Sequence, residues 1–294
     1  MAESQAWTVG RLLQWTADYL KRHGADSPRL DAEVLLAETL HRSRIALYTS
    51  FDEVPGEEVR AAFRELVRRR AEGTPVAYLV GHREFFSLDF RVTQDVLIPR
   101  PETEFLVMTL IELARQQDRQ PVTICDVGTG SGIIAVAAAK HLPNSRVTAI
   151  DVSPAALAVA RGNAEIHGVL DRIDFVQSNL LAGVPKERRF DFVVSNPPYV
   201  SEAELGRLAP EVRRFEPRVA LVAGQRGTEV IEALLGQAAD RIPPGGHVLL
   251  EISPIIHDAV QALLAANDRF QPGPTIKDLG RQPRVVQARR RDEG

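Results

Sequence analysis

A chain of 294 residues with 44% hydrophobic content has room for one large domain or two ordinary ones around a sizeable core, which excludes a disordered chain. Its formal net charge of −3 supplies no overall attraction for nucleic acid or anionic lipid, so tight phosphate binding is not its main task. The lone cysteine, Cys125, excludes an internal disulfide and any multi-thiolate metal site, so no metal is expected; inside an apolar strand it reads as a buried, inert thiol, which fits a reducing cytoplasm.

The first ten residues lack a basic end followed by an apolar run, and no segment reaches the roughly 18 apolar residues of a membrane span, so neither export nor anchoring is expected. Up to Gly81 the periodicity is helical only. Val9, Leu12, Leu13, Thr16, Tyr19 and Leu20 make one stripe; Ala32, Leu35, Leu36, Thr39 and Leu40 make another, opened by Ser27 as cap and Pro28 in the first turn. Further helices are expected over Arg44–Thr49 and residues 56–72, the latter carrying Arg68, Arg69 and Arg70 as a solvated helix end or a partner surface. The first quarter therefore reads as a small helical bundle.

Residues 84–92 alternate around Phe85, Phe86, Leu88 and Phe90, which predicts a strand pair. Two prolines then stiffen the segment Ile98-Pro99-Arg100-Pro101-Glu102-Thr103, a linker able to become a site wall, and Pro101 starts a helix over residues 102–114. From Val122 onward strands alternate with helices: Val122–Val127, helix Ile133–His141, strand 146–152, helix 154–167, Ile173–Gln177 and strand 190–195. A helix over 228–241, a strand over 247–252, a last helix over 256–267 and two terminal strands, near Ile276 and over 285–288, complete the pattern. This is the signature of a doubly wound, mostly parallel α/β sheet.

The first of these strands ends in Asp126-Val127-Gly128-Thr129-Gly130-Ser131-Gly132 and runs straight into a helix, where glycines let the backbone turn sharply and approach a ligand. The spacing is G-x-G-x-G, so the third glycine is not placed for pyrophosphate as in dinucleotide binders. Asp151 ends the second strand, where a carboxylate can accept both ribose hydroxyls or cap the next helix. Asn179 ends the third, where its amide can read an adenine edge with Leu180 flanking the ring. A nucleoside without phosphates suits this layout.

Directly after strand 190–195 comes Asn196-Pro197-Pro198-Tyr199. Each proline fixes its φ near −65° and lacks an N–H, which leaves the carbonyls of Asn196 and Pro197 available as acceptors. Such a strand end can grip a flat amide-like group; taken alone, the run can equally stop a strand while Tyr199 fills the core.

On these residues the chain resembles the protein-(glutamine-N5) methyltransferases, in their release-factor-specific branch. The likeness spans nearly the full length, and also includes Arg214-Phe215-Glu216-Pro217 and the ending from Asp278 to Arg289. It implies a seven-stranded class I methyltransferase (Rossmann-like) sheet over residues 101–294, a β-hairpin linker over 82–100, and an all-α bundle over 1–81 for substrate recognition. It implies S-adenosylmethionine bound by Asp126, Gly128, Thr129, Gly130, Ser131, Gly132, Asp151, Asn179, Leu180 and Asn196. The substrate, a glutamine in the Gly-Gly-Gln loop of peptide chain release factors, would be held by Asn196, Pro197, Pro198 and Tyr199, the protein acting as a cytoplasmic monomer.

Two departures stand out: many relatives carry Asp at the place of Asn179, and Glu251-Ile252-Ser253-Pro254 differs from the usual Gly and Gln there. The same four-residue run also serves adenine-N6 DNA methylation and glutamine methylation of a ribosomal protein. No recognition domain for duplex DNA is visible, and the Pro-Arg-Pro-Glu-Thr segment favours the release-factor branch. An amide nitrogen is a poor nucleophile, so the expected task is alignment: Asn196 Oδ1 and the Pro197 carbonyl accept the two amide hydrogens while Tyr199 stacks on the amide plane.

Overall fold

The computed structural model describes residues 6–117 and 120–292, and the chain divides into two compact units: residues through Gly81 together with 209–215, and residues 82–208 together with 216–294. The first unit contains α1 (Val9–Arg22), α2 (Pro28–Leu40), α3 (Arg44–Thr49), α4 (Glu57–Ala71) and α5 (Val76–Val80), with the short helix Pro210–Phe215, α9 in chain order. Thr8 caps α1 by accepting from Arg11 N at 3.2 Å. Pro28 does occupy the first turn of α2, but the Ser27 side chain makes no capping bond. The apolar stripes meet in one core of Val9, Leu13, Leu20, Leu35, Leu36 and Phe63.

The basic run at the end of α4 is not a uniformly solvated face. Arg68 is exposed and pairs with Glu65 and Glu72, whereas the Arg70 side chain is only 9% exposed, with Nε 2.7 Å from Asp31 and Nη1 2.7 Å from Glu211. A buried guanidinium survives only when its donors are answered, and here carboxylates from α2 and α9 answer it.

The second unit opens with the hairpin β1 (His82–Phe85) and β2 (Leu88–Arg91), whose turn residues Phe86 and Ser87 have φ of 52° and 58°. There follow α6 (Thr103–Arg115), β3 (Val122–Val127), α7 (Ile133–His141), β4 (Ser145–Asp151), α8 (Pro154–Ile166), β5 (Ile173–Gln177) and β6 (Phe192–Ser195). After β7 (Val200–Ser201) and α9 come α10 (Arg218–Leu221), β8 (Val222–Gly224), α11 (Glu229–Ala238), β9 (His247–Glu251), α12 (His257–Ala265), β10 (Phe270–Pro272), β11 (Ile276–Lys277) and β12 (Pro283–Arg290).

Seven strands lie on one path, in the order β10-β12-β9-β6-β3-β4-β5, and the short β11 adds an eighth beside β12. Strands β9, β6, β3, β4 and β5 are parallel, and β12 runs antiparallel to β9. Period-two alternation sends Ile124, Phe192, Val194 and Leu249 into a core shared with α6 and α7. Cys125, Val193, Val248 and Leu250 face the opposite core, with α11 and α12. Helices thus cover both faces. The chain winds from β3 out to β5 and then crosses to β6 on the other side of β3, so the strand order reverses between β3 and β6. Their carboxyl ends border the crevice where open α/β sheets take ligands.

Candidate active site

At the end of β3 the glycine loop is held from below. Asp126, fully buried, accepts from Thr129 Oγ1 at 2.6 Å and from Ala135 N at 3.1 Å, pinning the loop to the first turn of α7. Burial pushes its carboxyl up to about 7, and Oδ1 has no partner. Gly128, Gly130 and Gly132 adopt φ of 74°, 55° and 83°, which other residues rarely tolerate. A Cβ at Gly128 or Gly130 would meet open space, whereas one at Gly132 would lie 3.0 Å from Ala160 Cβ and 3.1 Å from its Cα. The first two glycines admit a ligand; the third admits α8.

Asp151, at the end of β4, accepts from Gly130 N through Oδ2 and from Ser153 N through Oδ1, both at 2.9 Å. Its carboxylate therefore shapes the loop and turns the chain into α8 while still lining the cavity. Asn179 and Leu180 line the same wall, and Leu180 takes a left-handed φ of 51° to do so. Asn163, buried in α8, had no sequence signal; its Nδ2 donates to Ser131 O at 2.8 Å and to Arg91 O at 3.0 Å, while Oδ1 accepts from Arg91 N at 2.8 Å. It ties the glycine loop to β2.

At the end of β6, Ser195 Oγ donates to Val127 O at 2.6 Å and locks the two crevice strands together. Asn196 Nδ2 then donates to Thr103 Oγ1 at 3.2 Å, so the hydroxyl at the start of α6 fixes the amide. Asn196 and Pro198 line the cavity with Ile98, Arg100 and Thr103, while Pro197 and Tyr199 do not. Tyr199 packs instead against the core beneath α11 and α12, where burial pushes its hydroxyl up to about 12. Arg100 is held by the buried carboxylate of Glu216, with Nη2 2.5 Å from Oε1, and Glu216 also accepts from Ile98 N at 3.3 Å. This bracing makes the Pro-Arg-Pro-Glu-Thr segment a wall.

Of the ten residues expected to hold the cofactor, eight line a cavity of about 240 Å³, far larger than a water or an ion needs; Asp126 and Gly132 stand behind it. Glycines open to the cavity, a strand-end carboxylate and an amide at the next strand end suit a nucleoside carrying an amino acid, and S-adenosylmethionine fits this donor set.

Comparison with known proteins agrees. The family model described as "PrmC N-terminal domain" matches residues 11–81, and that described as "Methyltransferase small domain" matches residues 101–211. A release factor glutamine methyltransferase of Rhodopirellula baltica is 50% identical over 95% of this chain and 95% of its own. The chain belongs to the release factor glutamine methyltransferase family. Another release factor glutamine methyltransferase, from Koribacter versatilis, is 40% identical over 92% of this chain and 95% of its own. A solved ribosomal protein L11 methylase from Lactobacillus delbrueckii subsp. bulgaricus is 25% identical over 69% of this chain and 86% of its own, with a TM-score of 0.50. The resemblance read from the motifs therefore holds across the chain, and S-adenosylmethionine is its cofactor. Among the described residues no helix is long and apolar enough to cross a membrane.

Proposed function

We propose that the chain methylates the side-chain amide nitrogen (N5) of the glutamine in an exposed Gly-Gly-Gln loop of peptide chain release factors, with Asn196 holding the acceptor amide. The observation that carries this reading is the orientation of Asn196: Nδ2 is engaged by Thr103, which leaves Oδ1 as the end that an incoming amide meets.

S-adenosylmethionine, held by Gly128 to Ser131, Asp151, Asn179 and Leu180, supplies a methyl group already activated on a sulfonium. The protein's share is alignment. Asn196 Oδ1 and the backbone carbonyl of Pro197, between the lining residues Asn196 and Pro198, accept the two hydrogens of the glutamine amide, orient its nitrogen, and meet the positive charge that develops there with fixed dipoles. No base is required, because the proton leaves to water after transfer. Asp126 and Gly132 serve by shaping the loop, and Tyr199 by stiffening the strand end from behind.

A glutamine buried in a folded core cannot reach a strand-end cavity, so the acceptor is a loop. The helical unit up to Gly81 recognises another face of the same factor, raising the effective concentration of that loop. The same reading takes the chain as a cytoplasmic monomer without a nucleic-acid partner, supported by the net charge of −3 and the single buried Cys125. The decisive experiment mixes purified protein, labelled S-adenosylmethionine and release factors with or without the loop glutamine. Label enters only the factor that has it; label in both contradicts the proposal.

A further inference from the structure

Two walls of the cofactor cavity come from separate stretches of the chain. One is the glycine loop, where Gly130 and Ser131 line it; the other is the segment 95–98, which follows β2. That second wall hangs from the strand. Between Arg91, the last residue of β2, and Asp95 the chain is braced: Val92 is buried, Thr93 Oγ1 accepts from Asp95 N at 3.2 Å, and Thr93 O accepts from Val96 N at 3.2 Å. A shift of Arg91 therefore reaches the wall.

Both walls are held by one side chain. Asn163, fully buried in α8, donates from Nδ2 to Ser131 O at 2.8 Å and to Arg91 O at 3.0 Å, and accepts from Arg91 N at 2.8 Å through Oδ1. Its two amide hydrogens are both used, and the opposite orientation would set its oxygen against two carbonyls. The contact belongs to a docking face of α8. One turn before Asn163, Ala160 is what a Cβ at Gly132 would strike; one turn after it, His167 Nε2 meets Asp89 O at 2.8 Å, with its ring 5.1 Å from that of Phe90. Four residues of helix rise about 6 Å and two residues of strand about 6.7 Å. Asn163 and His167 thus meet Arg91 and Asp89 in step, answering the edge of β2 that β1 does not pair.

We propose that Asn163 is a positioning residue for S-adenosylmethionine: it staples the glycine loop to β2 and so sets the spacing of two walls of the cofactor cavity. Asn163 does not itself line the cavity and acts through backbone groups of Ser131 and Arg91. The coupling is reciprocal, so whatever loosens β2 weakens the cofactor, and the cofactor in turn steadies β2. The inference concerns cofactor binding alone and holds whichever acceptor is methylated.

The test is calorimetric titration of the full-length protein with S-adenosylmethionine, which needs no methyl acceptor. Asn163→Leu, which fills the same space without the three hydrogen bonds, raises Kd about tenfold or more, the factor expected for buried partners left unanswered. His167→Ala leaves every contact of the glycine loop in place and loosens only the grip on β2; it raises Kd at least about threefold, and the double variant loses no more than Asn163→Leu alone. Hydrogen exchange supplies a readout that a merely structural residue would not move: saturating S-adenosylmethionine slows exchange of the β1 and β2 amides in the parent, and this protection falls at least about threefold in Asn163→Leu. An unchanged Kd for His167→Ala, losses that multiply in the double variant, or equal protection of the hairpin in parent and Asn163→Leu overturns the proposal.

Discussion

Asn196 has an amide with one donating and one accepting end, and the account requires the accepting end to meet the substrate. Asn196→Ala removes that end without disturbing the Ser195 lock on β3, so kcat falls by about 10²- to 10³-fold while S-adenosylmethionine still binds. Single-turnover assays with calorimetry check both halves. Asp126 makes a different prediction, because burial raises its carboxyl from 3.8 to about 7. The folded chain holds that proton more tightly than the unfolded one, so the associated stability is full below about pH 4 and is lost as pH rises through about 7. The loss is on the order of 4 kcal/mol. Asp126→Asn, which keeps the acceptor for Thr129, is therefore expected to gain stability over the parent as pH rises from 4 to 8 in urea unfolding. A difference that does not change with pH contradicts the assignment.

What the sequence showed at this scale was whatever lies at a strand end. Gly128, Asp151, Asn179 and Asn196 stand at the carboxyl ends of β3, β4, β5 and β6, and the hydrophobic runs announce those ends. Thr103 and Asn163 were missed because their partners are chosen by sheet pairing and helix docking across 93 and 32 positions, with no local pattern. Pro197 and Tyr199 belong to the motif but do not line the cavity.

Long elements were legible, and of the short ones only α3, the hairpin strands, β6 and the strand near Ile276 were. Runs such as Val122–Val127 and the alternation of strands with helices gave the winding of the sheet, and with it the crevice between β3 and β6. β7, β8, β10, α9 and α10 span two to six residues each, too few for a repeat to show. The junction of the glycine loop with α8 carries the prediction at this scale. Gly132→Ala forces a Cβ against Ala160 at a φ of 83°, so the variant loses about 1–3 kcal/mol of stability. Thermal unfolding measures it; an unchanged midpoint would mean that α8 can retreat freely.

For the molecule as a whole, the two compact units divide the work in this account: chemistry belongs to residues 82–208 with 216–294, and recognition of the whole factor to the helical unit. Deleting residues through Gly81 is expected to reduce kcat/KM for an intact release factor at least tenfold more than for a short Gly-Gly-Gln peptide, because only the intact factor offers a second docking face. Equal losses on both substrates would remove the docking role.

The central claim is that the acceptor is a carboxamide nitrogen held at Asn196. Tandem mass spectrometry of a release factor incubated with the protein and S-adenosylmethionine tests it most directly. The account predicts one added methyl on the side-chain nitrogen of the loop glutamine, absent with Asn196→Ala. A methyl on any other residue or atom, or full transfer by that variant, would contradict it.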